Sequence, residues 1–495
     1  ANTGERFGYY TMIAVFSLFL RANFGLSGDT AGLIYGVFLA LVYFLPLVGG
    51  IMADKFGYGK MVTIGIIVMF AGYLFLSIPL GGGVMGYAAM FGALLLVSLG
   101  TGLFKGNLQV MVGNLYDAPE LSAKRDSGFS IFYMAINIGA LFAPTAAVRI
   151  KEWAEHSLGY SGNDAYHFSF AVACVSLIVS MMIYYAFRST FKHVEAGAGK
   201  SKKTDTAGTE EELTPQQTKE RIVALCLVFA VVIFFWMSFH QNGLTLTFFA
   251  DEFVSPKSEG VQTMAFDVIN LVMIIFMIYS LMSFFQSKTS KAKLISTVVF
   301  LAAVGVLVYK YHNIGGPVDV SAPIFQQFNP FYVVALTPVS MAIFGALAAK
   351  GKEPTAPRKI AYGMIIAGSA YLLMVLASRG LLTPNEQDAA KAAGETVPFA
   401  SGNWLIGTYL ILTFGELLLS PMGISFVSKV APPKYKGTMM GGWFVATAIG
   451  NLLVSVGGFL WNDIPLTIVW SVFIVLCLLS AGFMFLMMKR LEKVA

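Results

Sequence analysis

The sequence predicts an all-α polytopic membrane protein, and three observations lead there. Of its 495 residues, 57% are hydrophobic and only 12% charged, where soluble domains carry about 25% charge. The mean hydropathy is +0.71. Apolar runs of roughly 20 residues, the length that crosses a bilayer, recur from end to end. Such runs exceed barrel strands, and only helices and closed barrels satisfy their own backbone in hydrocarbon. A water-soluble enzyme is thereby excluded.

The runs lie near residues 7–25, 29–52, 61–80, 86–107, 128–148 and 166–187. After a polar stretch they resume near 221–250, 266–286, 294–311, 324–349, 360–378, 403–428, 438–461 and 465–488, giving 14 transmembrane helices. With both termini cytoplasmic, most of the 33 lysines and arginines fall inside. Lys55 with Lys60, Lys124 with Arg125, the Lys200 to Lys203 cluster, Lys288 with Lys291 and Lys293, and Lys489 with Arg490 are examples. That asymmetry is the positive-inside rule, and an odd helix count would scramble it. The chain is expected in the cytoplasmic (inner) membrane. It opens at Ala1, and its first apolar run lacks a small-residue cleavage site, so a trimmed chain is expected rather than a signal peptide.

Residues 188–219 are charged and rich in Gly, Ala and Thr, and read as a flexible cytoplasmic linker. Gly199-Lys200-Ser201 within it is no phosphate loop, because Val194 stands where the first glycine belongs. The net charge of +6 is dispersed over short connections and is no nucleic-acid footprint. Cys174, Cys226 and Cys477 sit singly in apolar runs, as packing residues. No His-Glu-x-x-His or Gly-x-Ser-x-Gly motif occurs, so a membrane hydrolase lacks its parts and no metal is expected.

Charges inside a span are costly and usually face a cavity. Glu5 and Arg6 open the first helix and read either as a functional pair or as an exposed helix cap. Lys105, near the end of the fourth, reads either as a cavity cation or as a lysine snorkelling to the interface. His240 lies in the seventh run, and Glu416 in the twelfth, with Ser420 on the same helix face. If Lys105 and Glu416, from the two halves of the chain, face one cavity, the site is a fixed dipole. Its matching solute carries a cation at one end and an anion at the other. A di- or tripeptide does so across roughly 7–10 Å. Tyr9, Tyr10, Tyr43, Tyr133, Asn137, Trp236, Asn329 and Trp443 are candidate wall residues.

The segment FSIFYMAINIGALFAP, residues 129–144, resembles the signature of the proton-dependent oligopeptide transporters (POT/PTR), a branch of the major facilitator superfamily. Similar anchors run along the chain: GERFGYY from Gly4, GGIMADKFGYGK from Gly49, and GTGLFKGN with Lys105. FFWMSFHQNG with Trp236, FNPF with Asn329, GELLLSP with Glu416 and Ser420, and MMGGWF with Trp443 follow. The resemblance implies a major facilitator fold of two six-helix bundles plus two extra helices, rocking about a midplane site. It divides the chain into an N-terminal bundle, 1–187, the linker, 188–219, and the first C-terminal-bundle helix, 220–250. Two extra, lipid-facing helices in 251–322 and the remaining five helices in 323–495 complete it.

The resemblance also implies roles. Glu416 would receive a peptide's amino end, Lys105 its carboxylate, and Asn137 and Asn329 its backbone amides or termini, with Ser420 among the substrate-binding residues. Tyr9, Tyr10, Tyr43 and Tyr133 would line the site, with Trp236 and Trp443 bounding side-chain pockets. Glu5, Arg6, Lys105, Glu416 and His240 would couple protons, with no cofactor beyond the proton itself. Proton-coupled import of di- and tripeptides is the implied activity. Three departures bear on it: Asn2 in place of a glutamate, Ile13 in place of an arginine, and His240 in place of an acid. They leave open a carrier for another small organic solute, or uncoupled peptide transport.

Overall fold

The computed structural model describes residues 1–115, 125–195, 213–432 and 435–494. The cations at Lys124 and Lys200 to Lys203, and linker residues 196–212, lie outside them. Fourteen long helices carry the architecture. The first six are α1 (Asn2–Phe24), α2 (Gly28–Phe56), α3 (Tyr58–Leu76), α4 (Val84–Leu115), α5 (Arg125–Leu158) and α6 (Tyr166–Ala186). After the linker come α7 (Pro215–Phe239), α8 (Val268–Gln286), α9 (Ser290–His312) and α10 (Phe328–Ala349). Then follow α11 (Ala356–Ala377), α12 (Gly402–Val430), α13 (Lys436–Leu452) and α14 (Leu466–Val494).

Thirteen of them belong to stretches long and apolar enough to span a membrane. The exception, α1, is made more polar by Glu5, Arg6 and Arg21, but it is buried on nearly every side against α5 and α6. Its charges are tolerated because protein, not lipid, surrounds them. The outer faces show the converse, with large apolar side chains such as Phe75, Val175, Met182 and Leu486 exposed, as helices solvated by acyl chains require.

The helices α1–α6 pack together, and α7 packs with α10–α14. The two sets meet where α2 touches α13 and α5 touches α10. The extra pair is peripheral: α9 packs on α8, and α8 touches α10 and α5. Their exposed apolar surfaces, including Phe276, Leu294 and Leu301, suit lipid. Outside the spans, β1 (Lys257–Ser258) and β2 (Val318–Asp319) pair antiparallel and tie together the connections flanking this pair.

Three segments differ from the sequence reading. The seventh run is not one helix: α7 stops at Phe239, a single 3₁₀ turn covers His240–Gly243, and helix resumes over Thr245–Glu252. Within this break Gly243 lies so close to α2 that a methyl group there would stand 1.9 Å from the Tyr35 hydroxyl. The run at 438–461 also divides, with Ser455–Phe459 forming a short helix beyond α13. The stretch 188–219 is ordered at both ends. Glu195 accepts from Arg188 at 2.8–3.0 Å and from Tyr184 at 3.0 Å, and its backbone carbonyl accepts from Gly59 N. At the other end Thr214 and Gln217 form a capping box ahead of Pro215, satisfying the first free amides of α7.

One end of the assembly is closed. Arg21, at the end of α1, forms an ion pair with Glu252 and lies over the Phe248 ring at 4.6 Å. Glu252 also accepts from Trp461 Nε1 at 3.1 Å, and its carbonyl accepts from Gln387 Nε2 at 2.5 Å. Beside this network α2 and the Ser455–Phe459 segment approach backbone to backbone: a methyl group on Gly32 would lie 3.0 Å from Gly458 Cα.

Arg21→Gln and Glu252→Gln should each lower stability by about 2–3 kcal/mol, the scale of a charged hydrogen bond lost at a buried partner. The double variant should lose less than the sum, because no unpaired charge remains. Thermal unfolding of the three variants in detergent checks this; strictly additive losses would show that the contact holds nothing together.

Candidate functional site

The site is built where helix interiors carry charge. Near the start of α1, Arg6 Nε and Nη2 each donate to a Glu5 carboxylate oxygen at 2.5 Å. Both residues are buried, at 0% and 3% exposure, so the pair is no exposed helix cap. A two-pronged Arg–carboxylate contact satisfies donors and acceptors together, which is what makes a buried pair tolerable. Arg6 also lies 4.8 Å from the Tyr9 ring centroid, and Tyr10 packs edge-on to Tyr9.

Lys105 stands deeper than its place in the sequence suggests. Because α4 continues to Leu115, Lys105 is about 15 Å of helix from its end at 1.5 Å per residue. Its partial burial beside an aromatic ring favours the cavity reading. Its Nζ lies 4.0 Å from the Tyr43 ring centroid, and Glu5 and Arg6 are close enough to act on it electrostatically. Close approach of α2 and α4 sets this geometry, since a methyl group on Gly49 would lie 2.1 Å from Gly102 O. A cavity of about 660 Å³ opens between α2, α4 and α13 at the end of the assembly opposite Arg21 and Glu252. Tyr43, Lys105, Asn107 and Gln109 line it from one half, and Met440, Gly441 and Phe444 from the other.

From the second half, Asn329 on α10 donates through Nδ2 to Glu416 Oε2 at 2.9 Å and to Thr413 Oγ1 at 3.1 Å. Glu416 is only partly buried, and Tyr10, Tyr43 and Tyr133 of the first half lie within its electrostatic reach. Tyr43 touches Lys105 and lies within electrostatic range of Glu416. Tyr133 is 50% exposed although it lies among these interior groups, so its ring faces an internal opening.

The other candidates divide. Asn137 is buried and donates to the Tyr133 carbonyl of its own helix at 3.1 Å. Trp236 stacks on His240 with centroids 5.1 Å apart, and Tyr43 lies 6.2 Å from His240 across the two halves. Trp443 is 3% exposed and packs on Gly423, where a methyl group would lie 1.9 Å from the indole. Ser420 is partly buried one turn beyond Glu416. Sequence reasoning missed Thr413 as a partner of Asn329, the Arg21–Glu252 pair, and Asn451 on α13. Asn451 is fully buried beside His240. A lone Asn in the apolar run TAIGNLLVSV was its available signal.

Comparison with known proteins identifies the fold and the family. The family model of the POT family matches residues 59–208 and 310–469. Dipeptide and tripeptide permease B of Xenorhabdus bovienii is 27% identical over 466 residues, covering 91% of this chain and 83% of the permease. The di-/tripeptide transporter of Lactococcus lactis subsp. cremoris is 28% identical over 480 residues, covering 91% and 85%. The crystal structure of a peptide transporter POT in complex with sulfate superposes with a TM-score of 0.73 at 22% identity, covering 100% of this chain and 94% of that one. The fold is therefore that of the major facilitator carriers, two six-helix bundles with two helices added. With its family model matched over most of its length, the chain belongs to the POT family, and it is a transporter rather than an enzyme.

Proposed function

We propose that the protein imports di- and tripeptides across the cytoplasmic membrane together with protons, both of its termini lying in the cytoplasm. The observation that carries this is that the two halves contribute opposite charges near Tyr43: Lys105 from α4 against its ring, and Glu416 of α12, held by Asn329 of α10, within electrostatic range of it. A zwitterionic peptide bridges such poles through its termini, which every small peptide has, so side chains of many kinds are accepted. The names of the two relatives, each a di- and tripeptide carrier, support the same solute class.

Glu416 receives the peptide's ammonium group, with Asn329 holding the carboxylate in place, and Lys105 attracts the opposite end. The cavity at the open end is the cytoplasmic exit, and the Arg21–Glu252 network closes the outer face. Alternating access then requires that the closed end part while α2, α4 and α13 come together, a rocking of one bundle on the other.

The proton is the coupling ion. Glu5 is here neutralised by Arg6, with Lys105 near enough to compete. A carboxylate that loses its cation while remaining buried is stable only after it takes a proton. Exchange of partners among Glu5, Arg6 and Lys105 as the bundles rock is the step that binds and releases it.

Two measurements test the proposal. Proteoliposomes should accumulate dialanine only when an inward proton gradient is imposed; Glu5→Gln should abolish that accumulation while leaving exchange of labelled dialanine. Unchanged gradient-driven uptake by Glu5→Gln would discard the coupling step. Glu416→Gln should weaken dialanine binding roughly tenfold or more, the equivalent of about 1.4 kcal/mol, yet hardly change binding of its N-acetylated form. No thermal stabilisation by a panel of di- and tripeptides, with a response to another small organic solute, would replace the peptide reading.

A further inference from the structure

The outer, lipid-facing side of the first half carries an apolar groove of about 390 Å³ between α3 and α6. Ile66 and Leu177 are buried and form its floor, while Ile67, Ile178 and Met182 are exposed and form its walls. A cleft of this kind gives an acyl chain contacts on three sides, where a convex helix face gives them on one. Along α6 the groove runs from Leu177 to Tyr185, about 12 Å of helix at 1.5 Å per residue. One leaflet of the hydrocarbon core is about 15 Å deep, so the groove matches the reach of one lipid chain.

The groove has a polar end. Tyr185 closes it, its hydroxyl sharing a hydrogen bond with the Thr63 hydroxyl at 2.9 Å. The Arg188 guanidinium, in the turn after α6, lies 5.4 Å from the Tyr185 ring centroid. This end is on the side of the open cavity, since Tyr58, at the start of α3, lines that cavity. The turn is fixed in place: Phe191 packs on Tyr184 with centroids 4.9 Å apart, Val194 is buried, and the Glu195 carbonyl accepts from Gly59 N. Glu195 engages Arg188 through Nε and Nη2 and not through Nη1. Lys60, one turn before Thr63, and Lys192, one turn beyond Arg188, are exposed and among the described residues enter no ion pair. Three cations thus stand against one carboxylate that is already taken.

We propose that this is a site for one anionic glycerophospholipid, with an acyl chain in the groove and the phosphate among Arg188, Lys60 and Lys192. The pattern of charge selects the headgroup. A phosphate takes charge-assisted hydrogen bonds from guanidinium and ammonium groups, and basic clusters at the membrane surface attract anionic lipids. The cation of a choline or ethanolamine headgroup finds no open carboxylate there: Glu195 is bound to Arg188 and Tyr184, and Asp54 accepts from Tyr58 at 2.7 Å. Because α3, α6 and the turn after α6 all belong to the first half, the lipid ties that bundle together without crossing the seam between the halves. The site is independent of which solute the carrier moves.

The test uses the purified full-length chain, stripped of lipid in detergent and titrated with dioleoyl phosphatidylglycerol or dioleoyl phosphatidylcholine, the bound lipid being counted by native mass spectrometry. The wild type should take up its first phosphatidylglycerol about tenfold or more tightly than phosphatidylcholine. Lys60→Gln combined with Lys192→Gln should remove most of that preference, while the lipid-free protein melts as the wild type does because both side chains are exposed. Ile178→Trp, which fills the groove, should weaken binding of both lipids and gives a second reading should the double variant fold poorly. Equal wild-type affinity for the two lipids would overturn the proposal. A preference that survives in both variants would put the anionic lipid elsewhere on the surface and overturn the site. Thermal stabilisation by water-soluble glycerol phosphate as large as that by the whole lipid would mark a plain anion site and overturn it as well.

Discussion

A charge in hydrocarbon must be neutralised, hydrogen-bonded or kept wet, and the interior of this protein is organised by that constraint. Glu5 and Arg6 meet it locally, through a two-pronged contact between sequence neighbours. Breaking such a pair by removing one partner leaves a buried charge uncompensated, a cost far larger than the pair's own net worth. The bundle built from α1, α5 and α6 therefore wraps the pair tightly, and Lys105 is left with an aromatic face in place of a carboxylate. The second half answers the same constraint differently: Glu416 has an amide from α10 as its partner and stays partly exposed. Among the described residues, one half thus offers a cation outside any ion pair and the other a carboxylate held by a neutral donor.

That asymmetry becomes useful because backbone contacts, not long side chains, set the distances between helices. Gly49 against Gly102 brings α4 to α2 and so puts Lys105 over Tyr43, while Gly32 against Gly458 closes the far end. In lipid no hydrophobic force pulls helices together, so close packing through small residues carries much of the association. Contacts of this kind are either made or lost over a short displacement. The Arg21–Glu252 pair beside Gly32 is part of the same close contact, its network reaching Trp461 and Gln387. A closed end held by short-range contacts and an open end framed by a wide cavity are the two requirements of a carrier that rocks.

Much of this was legible in the sequence. Apolar runs gave the helices, because lipid imposes a period-free demand that composition alone reveals. The rare polar residues inside them, Glu5, Arg6, Lys105, Asn329 and Glu416, gave most of the interior chemistry. What escaped detection depends on where helices end and on which residues meet across the fold. Lys105 looked terminal because Gly106, Asn107 and Gln109 interrupt the apolar run, yet α4 continues through them since they face the cavity and not lipid. The close approach of Gly243 to the Tyr35 hydroxyl within the break after Phe239 was hidden because the two lie 208 positions apart in the chain. Arg21 and Glu252 sit near the boundaries of their spans, where charge is ordinary, and nothing local marks them as partners.

The placement of polar groups along the solute's path follows from the same electrostatics. If every polar atom of the interior were paired within the protein, the carrier would close as readily empty as full, and an imposed gradient would be dissipated by slippage. A buried carboxylate held by a single neutral amide, as Glu416 is by Asn329, would make an empty closed state costly, and a positively charged group on a solute would remove that cost. Binding energy then appears as a shift between two arrangements and not only as affinity, which is the form in which a solute with different affinity for two states can move an equilibrium.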